Sequence, residues 1–346
     1  MLKNNLMRSA VAATMLLTGS GVALAQGSLN ILAWGNVVPD QLVKDFESRY
    51  NVKVSLTDYD SSDEALAKVR QGGHGFDGVI AISSYLPIWI KEGLLMETDP
   101  ATMENGKNLK DEWKNPPYDP GMKYSVPYEI GITAVTVNTS VYKGDINTSA
   151  IFMDPPPELA GKINVVPAMD EIMFLATRYM GGQPCSTDKA LMRKVRDKLI
   201  AAKPKWASMN YSTINQLAKK DILASVAWNG EAQRVRLLNP DVKFGFPKEG
   251  FPIWVDSFNV LAGAANAGNA KLFQNFLMEP KNAGMISGFT RYQNAIKGAE
   301  AFMPDDMKTA PEIHLTDEAR SRMSFIEACP AEARALQTAI WTELQK

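Results

Sequence analysis

Apolar and polar residues follow two different periods in the first part of the chain. Residues 29–33 are a short apolar run, residues 52–56 alternate between apolar and polar side chains, and residues 79–82 are again apolar, which predicts three strands. Between the first two, Leu42 and Phe46 recur at helical spacing. Strands that alternate with helices predict an α/β fold, with mostly parallel sheets and flanking helices.

The residues that begin helices and end strands agree with this pattern. Pro39 stands at the start of the first predicted helix, and residues 61–64 (Ser-Ser-Asp-Glu) form a capping box before the second. Trp34 and Tyr85 each follow directly after a predicted strand. Ligands of open parallel sheets bind at the carboxyl ends of the strands. Both aromatic residues are therefore positioned for a ligand site.

The rest of the chain predicts a second α/β unit and two extended connections. Residues 97–124 are polar and rich in Pro, Gly and Asn, which indicates a surface connection. Extended runs follow near residues 132–137 and 255–261, and we interpret them as crossings between two lobes. Further helices are predicted at residues 171–180, 187–202, 270–277 and 331–346, and a further strand at 224–228.

The two crossings define a domain prediction. Lobe 1 is expected to contain residues 26–132 plus about 257–305, and lobe 2 residues 133–256 plus about 306–346. Two crossings make a hinge. A ligand that bridges both lobes favours the closed form by its differential affinity for that form.

The first 25 residues have the features of a secretory signal peptide. Lys3 and Arg8 supply positive charge, residues 10–17 a short apolar core, and residues 23–25 (Ala-Leu-Ala) a cleavage site. The apolar core is shorter than the roughly 20 residues that span a bilayer. We therefore expect a cleaved leader and a soluble periplasmic protein, with an uncleaved tether as the alternative.

Composition excludes some partners and leaves the cysteines open. The formal net charge of −1 gives no basic footprint for nucleic acid. The only cysteines, Cys185 and Cys329, can form one disulfide in an oxidising compartment or remain two free thiols. The only histidines, His74 and His314, lie far from each other and from both cysteines in sequence, so no metal site is expected.

Two short segments place a tryptophan close to a carboxylate. Trp228 is three residues before Glu231, and Trp254 is two residues before Asp256. A tryptophan face attracts an ammonium group, and a carboxylate neutralises its charge. Two such segments in a nearly neutral, exported chain predict capture of a small organic cation. The alternative for Trp254, and likewise for Trp34, is that the ring is a core residue, as most large aromatic side chains are.

At these residues the chain resembles the spermidine/putrescine-type periplasmic solute-binding proteins of ABC importers, over nearly the whole mature chain. The resemblance implies a two-lobed periplasmic binding protein fold that closes on ligand in the cleft. It also implies a monomer and an inner-membrane ABC permease as partner. The motifs that carry it are Trp34 with Val38-Pro39, Phe76-Asp77, Ser84-Tyr85, Val126-Pro127-Tyr128, Ala227-Trp228-Asn229-Gly230, Pro247-Lys248-Glu249-Gly250 and Trp254-Val255-Asp256-Ser257.

The resemblance further implies a cage of aromatic rings around the ligand, with carboxylates as ion partners. The rings are those of Trp34, Tyr85, Trp228 and Trp254. The carboxylates are those of Glu171 and Asp256, and Glu327 stands near a position where the family often has a polar contact. Asn36 and Ser84 complete the set of candidate ligand-binding residues. Glu129 and Glu231 are expected to be solvated or structural.

Two departures from the family pattern bear on the ligand. Asn36 and Val37 stand where the polyamine binders carry an acidic residue and a tyrosine, and Pro167 and Ala168 where they often carry another acidic residue. A cation left unpaired in a closed cleft is costly. We therefore expect a ligand with an amine or guanidine at one end and a neutral or anionic group at the other. An ω-amino acid such as γ-aminobutyrate fits, as does a short or capped polyamine.

Three further residues bear on this expectation. Asp170 replaces the missing carboxylate only if the turn before Glu171 has a different shape. Arg178 and Arg291 are candidate partners for a ligand carboxylate, but the sequence places neither in the cleft.

The candidate functions of an exported chain with these residues fall into three classes. The first is a binding protein that delivers an amine-bearing metabolite to an ABC permease, and the second is a signalling module for the same ligands. The third, an exported enzyme, is disfavoured because no nucleophile elbow, metal-ligand cluster or Ser/Cys–His arrangement is present. No cofactor is expected. An anion or metal-chelate ligand ranks low because such sites usually use several Arg, Ser or Tyr groups.

Overall fold

The computed structural model describes residues 27–346, so the predicted signal peptide, residues 1–25, lies outside the described residues. The strands are β1 (Ser28–Trp34), β2 (Lys53–Tyr59), β3 (Gly78–Ile82), β4 (Ser125–Asn138), β5 (Ile163–Val165), β6 (Ala224–Trp228), β7 (Val242–Gly245), β8 (Phe251–Val260) and β9 (Met323–Phe325). The α-helices are α1 (Asp40–Tyr50), α2 (Ser62–Arg70), α3 (Leu86–Lys91), α4 (Ala150–Met153), α5 (Met169–Tyr179), α6 (Lys189–Ala202), α7 (Thr213–Ala218), α8 (Asn229–Leu238), α9 (Ala267–Leu277), α10 (Pro280–Thr290), α11 (Asp317–Ser321) and α12 (Ala331–Leu344). Within residues 27–346, none of these helices has the length and apolar character needed to cross a membrane.

The strands join in the order β2-β1-β3-β8-β4-β6-β5, with β7 paired to β4 and β9 paired to β8. The pairs β1–β2, β1–β3, β5–β6 and β8–β9 are parallel. Every antiparallel pair among the described strands involves β4 or β8. Parallel β-α units therefore lie on both sides of two long central strands, which confirms the predicted α/β class.

The two long strands connect the two halves of the sheet. Residues Ser125–Ile132 of β4 pair with β8, whereas residues Thr133–Val137 pair with β6. Strand β4 thus leaves one set of strands and enters the other at Ile132 and Thr133, inside a predicted crossing. The lobe boundaries predicted from the sequence stay a prediction.

The hydrophobic core is divided in the same way. Leu29, Phe46 and Phe273 belong to one cluster, built from β1, α1 and α9. A separate cluster around Val135 and Val226 packs between β4, β6 and the helices α5 and α6. A third large cluster packs between β1, β3 and α3. A small group lies apart from these three. It consists of Phe174, Trp254, Tyr292 and Ile326, with Ile82 and Trp228 packed against it.

Most predicted elements are confirmed, with changes at their ends. The capping interaction at Ser61 is present, because Ser61 Oγ accepts a hydrogen bond from the Glu64 amide at 3.2 Å. Trp89 of α3 is a core residue, with 1% of its surface exposed. The helices α8 and α10 were not predicted. Helix α10 contains Gly284 and Gly288, which weaken a helical pattern in sequence.

A disulfide joins Cys185, between α5 and α6, to Cys329, just before α12. This resolves the choice that the sequence left open. Replacing both cysteines with serine is expected to lower the free energy of unfolding by about 2–4 kcal/mol, because the unfolded chain loses a long-range cross-link. Thermal unfolding with and without a reductant checks this. The reductant should lower the Tm of the wild-type protein and leave that of the double variant unchanged. The same wild-type Tm with and without the reductant would contradict a stabilising role of the disulfide.

Candidate functional site

Residues from four elements face the region between the two sets of strands. Trp34 is the last residue of β1, and Trp228 is the last residue of β6. Trp254 and Asp256 lie on β8, two residues apart and therefore on one face of the strand. Glu171 lies in the first turn of α5, where the helix dipole favours a carboxylate.

Hydrogen bonds connect three of these residues through Thr133 of β4. Glu171 Oε2 accepts hydrogen bonds from Thr133 Oγ1 at 2.5 Å and from Trp228 Nε1 at 2.7 Å. Trp254 Nε1 donates to Thr133 Oγ1 at 3.0 Å. The two indole nitrogens are thus linked to one buried carboxylate, that of Trp228 directly and that of Trp254 through Thr133.

Aromatic contacts fix the orientation of the rings. Trp254 packs edge-on against Tyr292, with ring centroids 5.1 Å apart, and Trp228 stacks on Tyr211 at 5.9 Å. The six-membered ring of Trp254 lies directly over Gly131. A Cβ atom at Gly131 would come within 2.1 Å of Trp254 Cζ2. The absence of a side chain at this position makes room for the ring.

A second carboxylate lies beside Trp34. Burial raises the pKa of Asp256 to about 7, and interactions with Glu129 and then with the Trp34 indole act in the opposite direction. Asp256 pairs with Glu129 across the β4–β8 ladder. The Trp34 ring packs against Tyr59 at a centroid distance of 4.4 Å. Asp256 and Trp34 therefore form a second pair of a carboxylate and an indole ring, close to the pair formed by Glu171 and Trp228.

Several carboxyls of this region are buried without an ion-pair partner. Burial raises the pKa of Glu171 to about 7 and that of Glu231 to about 7. None of Glu129, Glu171, Glu231 and Asp256 forms a salt bridge with a lysine, arginine or histidine of residues 27–346. Buried carboxylates are normally paired. This region is therefore complementary to a cation.

The family model for bacterial extracellular solute-binding proteins matches residues 41–314 of the chain. This protein belongs to that family. The spermidine/putrescine-binding periplasmic protein 1 of Haemophilus influenzae is 28% identical over 331 residues, which cover 92% of each chain. The predicted resemblance is thereby confirmed, and these relatives are solute-binding proteins of transporters rather than enzymes.

Solved structures agree on the fold. The TpPotD lipoprotein of Treponema pallidum matches with a TM-score of 0.82 and 24% identity, over 92% of this chain and 99% of that one. The Atu4243 GABA receptor matches with a TM-score of 0.72 and 16% identity, over 92% and 98% of the two chains. At these identities the likeness concerns the fold alone, and it confirms the two-lobed arrangement of this solute-binding protein.

The sequence-predicted residues of the solute-binding protein divide into a connected group and a peripheral group. Trp228, Glu171 and Trp254 are joined by the hydrogen bonds through Thr133, and Trp34 is directed at Asp256. Their roles toward a ligand stay a prediction.

Tyr85 and Ser84 lie at the amino end of α3. The Tyr85 hydroxyl donates to Asp63 Oδ1 at 2.9 Å, and the guanidinium of Arg334 lies 5.8 Å from the centroid of the ring. Burial raises the pKa of Tyr85, with a further contribution from Asp170. Ser84 Oγ is buried and has no hydrogen-bond partner in the described chain.

Asn36 and Glu327 are both exposed. Asn36 has a φ of 59°, in the left-handed region that asparagine tolerates better than most residues. The conformation of the turn after β1 therefore explains why asparagine stands at this position. Glu327 lines a small recess beside the disulfide, together with Phe174 and Ile326. Phe174 and Ile326 also belong to the small central group, so this recess adjoins it.

Two candidate charges are occupied elsewhere. Asp170 forms an ion pair with Arg334, so it does not act as an unpaired substitute for the missing carboxylate. Arg291 pairs with Asp306 at 2.7 Å. Arg178 remains a candidate partner for a ligand carboxylate. Its guanidinium lies 5.7 Å from the Phe174 ring centroid, and its Nε has no hydrogen-bond partner among the residues that the structure describes.

Sequence reasoning missed several residues of the site. Glu129 and Glu231 were expected to be solvated or structural; Glu129 is 2% exposed and therefore not solvated, and Glu231 is half-buried. Thr133 and Tyr292 carried no motif that marked them. A signal for Glu129 was present in Pro127, since proline inside a central strand indicates a bulge. The β4–β8 register shifts between Pro127 and Glu129, and this shift sets Glu129 opposite Asp256.

The Asn-Gly pair after Trp228 has a structural explanation. Asn229 Oδ1 accepts a hydrogen bond from the Ile132 amide at 2.9 Å, at the point where β4 changes partners. A Cβ at Gly230 would lie 2.7 Å from Tyr292 Cε1. Asn229 thus fastens the crossing strand, and Gly230 lets Tyr292 approach Trp254.

Proposed function

We propose that this solute-binding protein captures a small linear amine of the putrescine/spermidine class in the periplasm and delivers it to an inner-membrane ABC permease. The observation that carries the proposal is Glu171, a buried carboxylate that accepts hydrogen bonds from Thr133 and Trp228 and has no cationic partner in the described chain. The names of its relatives support the same ligand class.

The first amine is placed at Glu171, between the rings of Trp228 and Trp254. A desolvated cation–π contact contributes up to ~2 kcal/mol, and a charge-assisted hydrogen bond about 1.5–3 kcal/mol. The two rings cannot rotate freely, because each indole nitrogen is held by a hydrogen bond. A preorganised cage loses little conformational entropy when the ligand enters.

The second end of the ligand is placed toward Asp256 and Trp34. The sequence suggested too few carboxylates for a second ammonium group, because of Asn36 and Ala168. Asp256 is nevertheless buried, unpaired by any cation of the described chain and close enough to Glu171 to raise that residue's pKa further. The two buried carboxyls, those of Glu171 and Asp256, support a diamine over a ligand with one cationic end.

An ω-amino acid is the alternative ligand, and one observation favours it. Arg178 lies over the ring of Phe174, in the group that also contains Trp254. A ligand carboxylate that reached Arg178 would find an unpartnered Nε.

The lobes are proposed to close on the ligand by a hinge within β4 and β8. Glu171 lies on α5, whose neighbours pack with the β6 half of the sheet, whereas Asp256 pairs with Ile82 of β3. A ligand that contacts both carboxylates bridges the two lobes. The ligand then shifts the equilibrium toward the closed form by up to the ratio of its affinities for the two forms.

Calorimetric titration with putrescine, spermidine, γ-aminobutyrate and 5-aminovalerate tests the ligand class. We expect putrescine or spermidine to bind most tightly. At a hundredfold excess over its Kd, the bound amine should add about 2.7 kcal/mol to the free energy of unfolding. Tighter binding of an ω-amino acid would overturn the polyamine proposal in favour of Arg178, and no binding by any of the four would overturn amine capture altogether.

A further inference from the structure

We infer that Glu129 is a second anionic determinant of ligand choice, and that Glu129 and Asp256 together hold one proton in the free protein and an ammonium group in the bound protein. This inference rests on the proposed function, because it concerns the same cleft. Glu129 is not among the ligand-binding residues that the family resemblance implies. The inference also states that the Glu129–Asp256 pair releases a proton when the ligand binds.

The first observation is geometric. Glu129 stands opposite Asp256 in the antiparallel β4–β8 ladder, where the side chains of paired residues lie on the same face at about 5 Å. Glu129 is 2% and Asp256 is 5% exposed. Two carboxyls at this separation and depth do not both ionise unless a cation lies between or beside them.

The second observation is the unpaired hydrogen-bonding capacity at this point. Within residues 27–346, Glu129 Oε2 and Asp256 Oδ1 are both buried without a hydrogen-bond partner, and so is the Nε1 of Trp34, which lies beside Asp256. Buried polar atoms are almost always satisfied in folded proteins. Unsatisfied acceptors on two facing carboxyls fit an ammonium group, which has three donors and no acceptor.

The surroundings add negative charge. Burial raises the pKa of Glu129 well above its usual range, and the charge of Asp256 raises it further. Glu231 on α8 lies near enough to raise the pKa of Tyr292, and Asp256 itself lies near enough to Glu171 on α5 to raise the pKa of that carboxyl. The positive charge of Arg234 acts on Glu129 in the opposite direction.

Glu171 and Glu231, whose pKa values are raised to about 7, also exchange protons near neutral pH, whereas the tyrosines that face the pair do not. Burial holds the pKa values of Tyr59, Tyr128 and Tyr292 well above 10. The hydroxyl of Tyr59 donates to the Ile80 carbonyl, and that of Tyr128 donates to the Val37 carbonyl. The Thr290 hydroxyl and Arg234 lower the pKa of Glu129, but less than burial and Asp256 raise it.

The proton balance follows from this arrangement. In the free protein the Glu129–Asp256 pair carries one proton and one negative charge. When an ammonium group enters, it supplies the positive charge, so the proton leaves for solvent and both carboxylates are ionised. The affinity for the amine therefore falls as the pH drops, because protons compete for the same pair.

Titration of putrescine into the wild-type protein and the Glu129→Gln variant tests this, at about pH 7 in buffers of different ionisation enthalpy. The dependence of the binding enthalpy on buffer gives the number of protons released. We expect the wild-type protein to release more protons than the variant. Loss of one charge-assisted contact should also weaken putrescine binding about tenfold to a hundredfold in the variant. Glu158→Gln, at an exposed position, is the matched control and should behave as wild type.

A second variant shows whether the hydrogen-bonding groups of the new glutamine side chain affect the result. Glu129→Leu removes both the charge and the hydrogen-bonding capacity, and it should show the same loss of proton release. Both variants should fold, because each removes a buried charge; their Tm values without ligand at pH 8 check this. Unchanged affinity and unchanged proton release would overturn the inference while leaving amine capture intact. Failure of the wild-type protein to bind putrescine or spermidine would overturn the proposed function as well.

Discussion

Replacing Glu171 with glutamine is expected to weaken putrescine binding by about a hundredfold, or ~3 kcal/mol, because an ammonium group loses its charged partner in a buried site. The glutamine has the same shape, and its carbonyl oxygen can still accept one of the hydrogen bonds from Thr133 and Trp228. The change therefore tests charge rather than packing. Calorimetric titration measures it, with Glu158→Gln as the control.

In the ligand-free protein, the same substitution is expected to increase the free energy of unfolding relative to wild type as the pH rises. The pKa of Glu171 is raised from 4.5 to about 7, so the folded protein binds this proton more tightly than the unfolded chain does. The free energy of unfolding therefore falls as the pH rises between these two values and is constant above them. The glutamine variant lacks this loss, and its stability relative to wild type should rise from about pH 4.5 to about pH 7. Weaker binding together with lower stability at pH 8 would instead indicate a packing role.

Replacing Gly131 with alanine is expected to lower both stability and affinity. The new Cβ would lie 2.1 Å from Trp254 Cζ2 and 2.3 Å from Cη2, so the ring must move. The ring cannot move freely, because it is 5% exposed, is hydrogen-bonded to Thr133 and packs on Tyr292. Overpacking of this kind typically costs 1–3 kcal/mol.

A displaced Trp254 also loses its position beside Glu171, so putrescine binding should weaken by about tenfold or more. The matched control is Gly268→Ala in α9, where an added Cβ meets no atom within 4 Å. Alanine is the better helix former, so this control should leave binding unchanged and raise stability by up to about 1 kcal/mol. Thermal unfolding and calorimetry measure both effects. If Gly131→Ala binds putrescine with wild-type affinity, the position of the Trp254 ring over Gly131 is not required for binding.

The class of the fold and the main site residues could be predicted because they depend on local patterns. Alternating strands and helices placed Trp34 and Trp228 at strand ends, where the structure has them. Glu171 could be placed in the first turn of a helix for the same reason. The position of Trp254 and Asp256 on one face of β8 follows from the two-residue period of a strand.

The remaining parts of the site depend on pairing between distant segments. Thr133 joins two tryptophans only because β4 changes partners at that residue. Glu129 faces Asp256 only because of an irregularity after Pro127, and a shift of one residue would have turned it to the opposite face. The ion pairs that occupy Asp170 and Arg291 are likewise tertiary contacts, so residue type alone could not assign their charges.

A crystal structure of the protein with its tightest-binding amine would test the central claim most directly. The account predicts one ligand nitrogen within hydrogen-bond distance of Glu171, flanked by Trp228 and Trp254, and a second nitrogen beside Asp256. An amine bound elsewhere, with Glu171 contacting only Thr133 and Trp228, would contradict it.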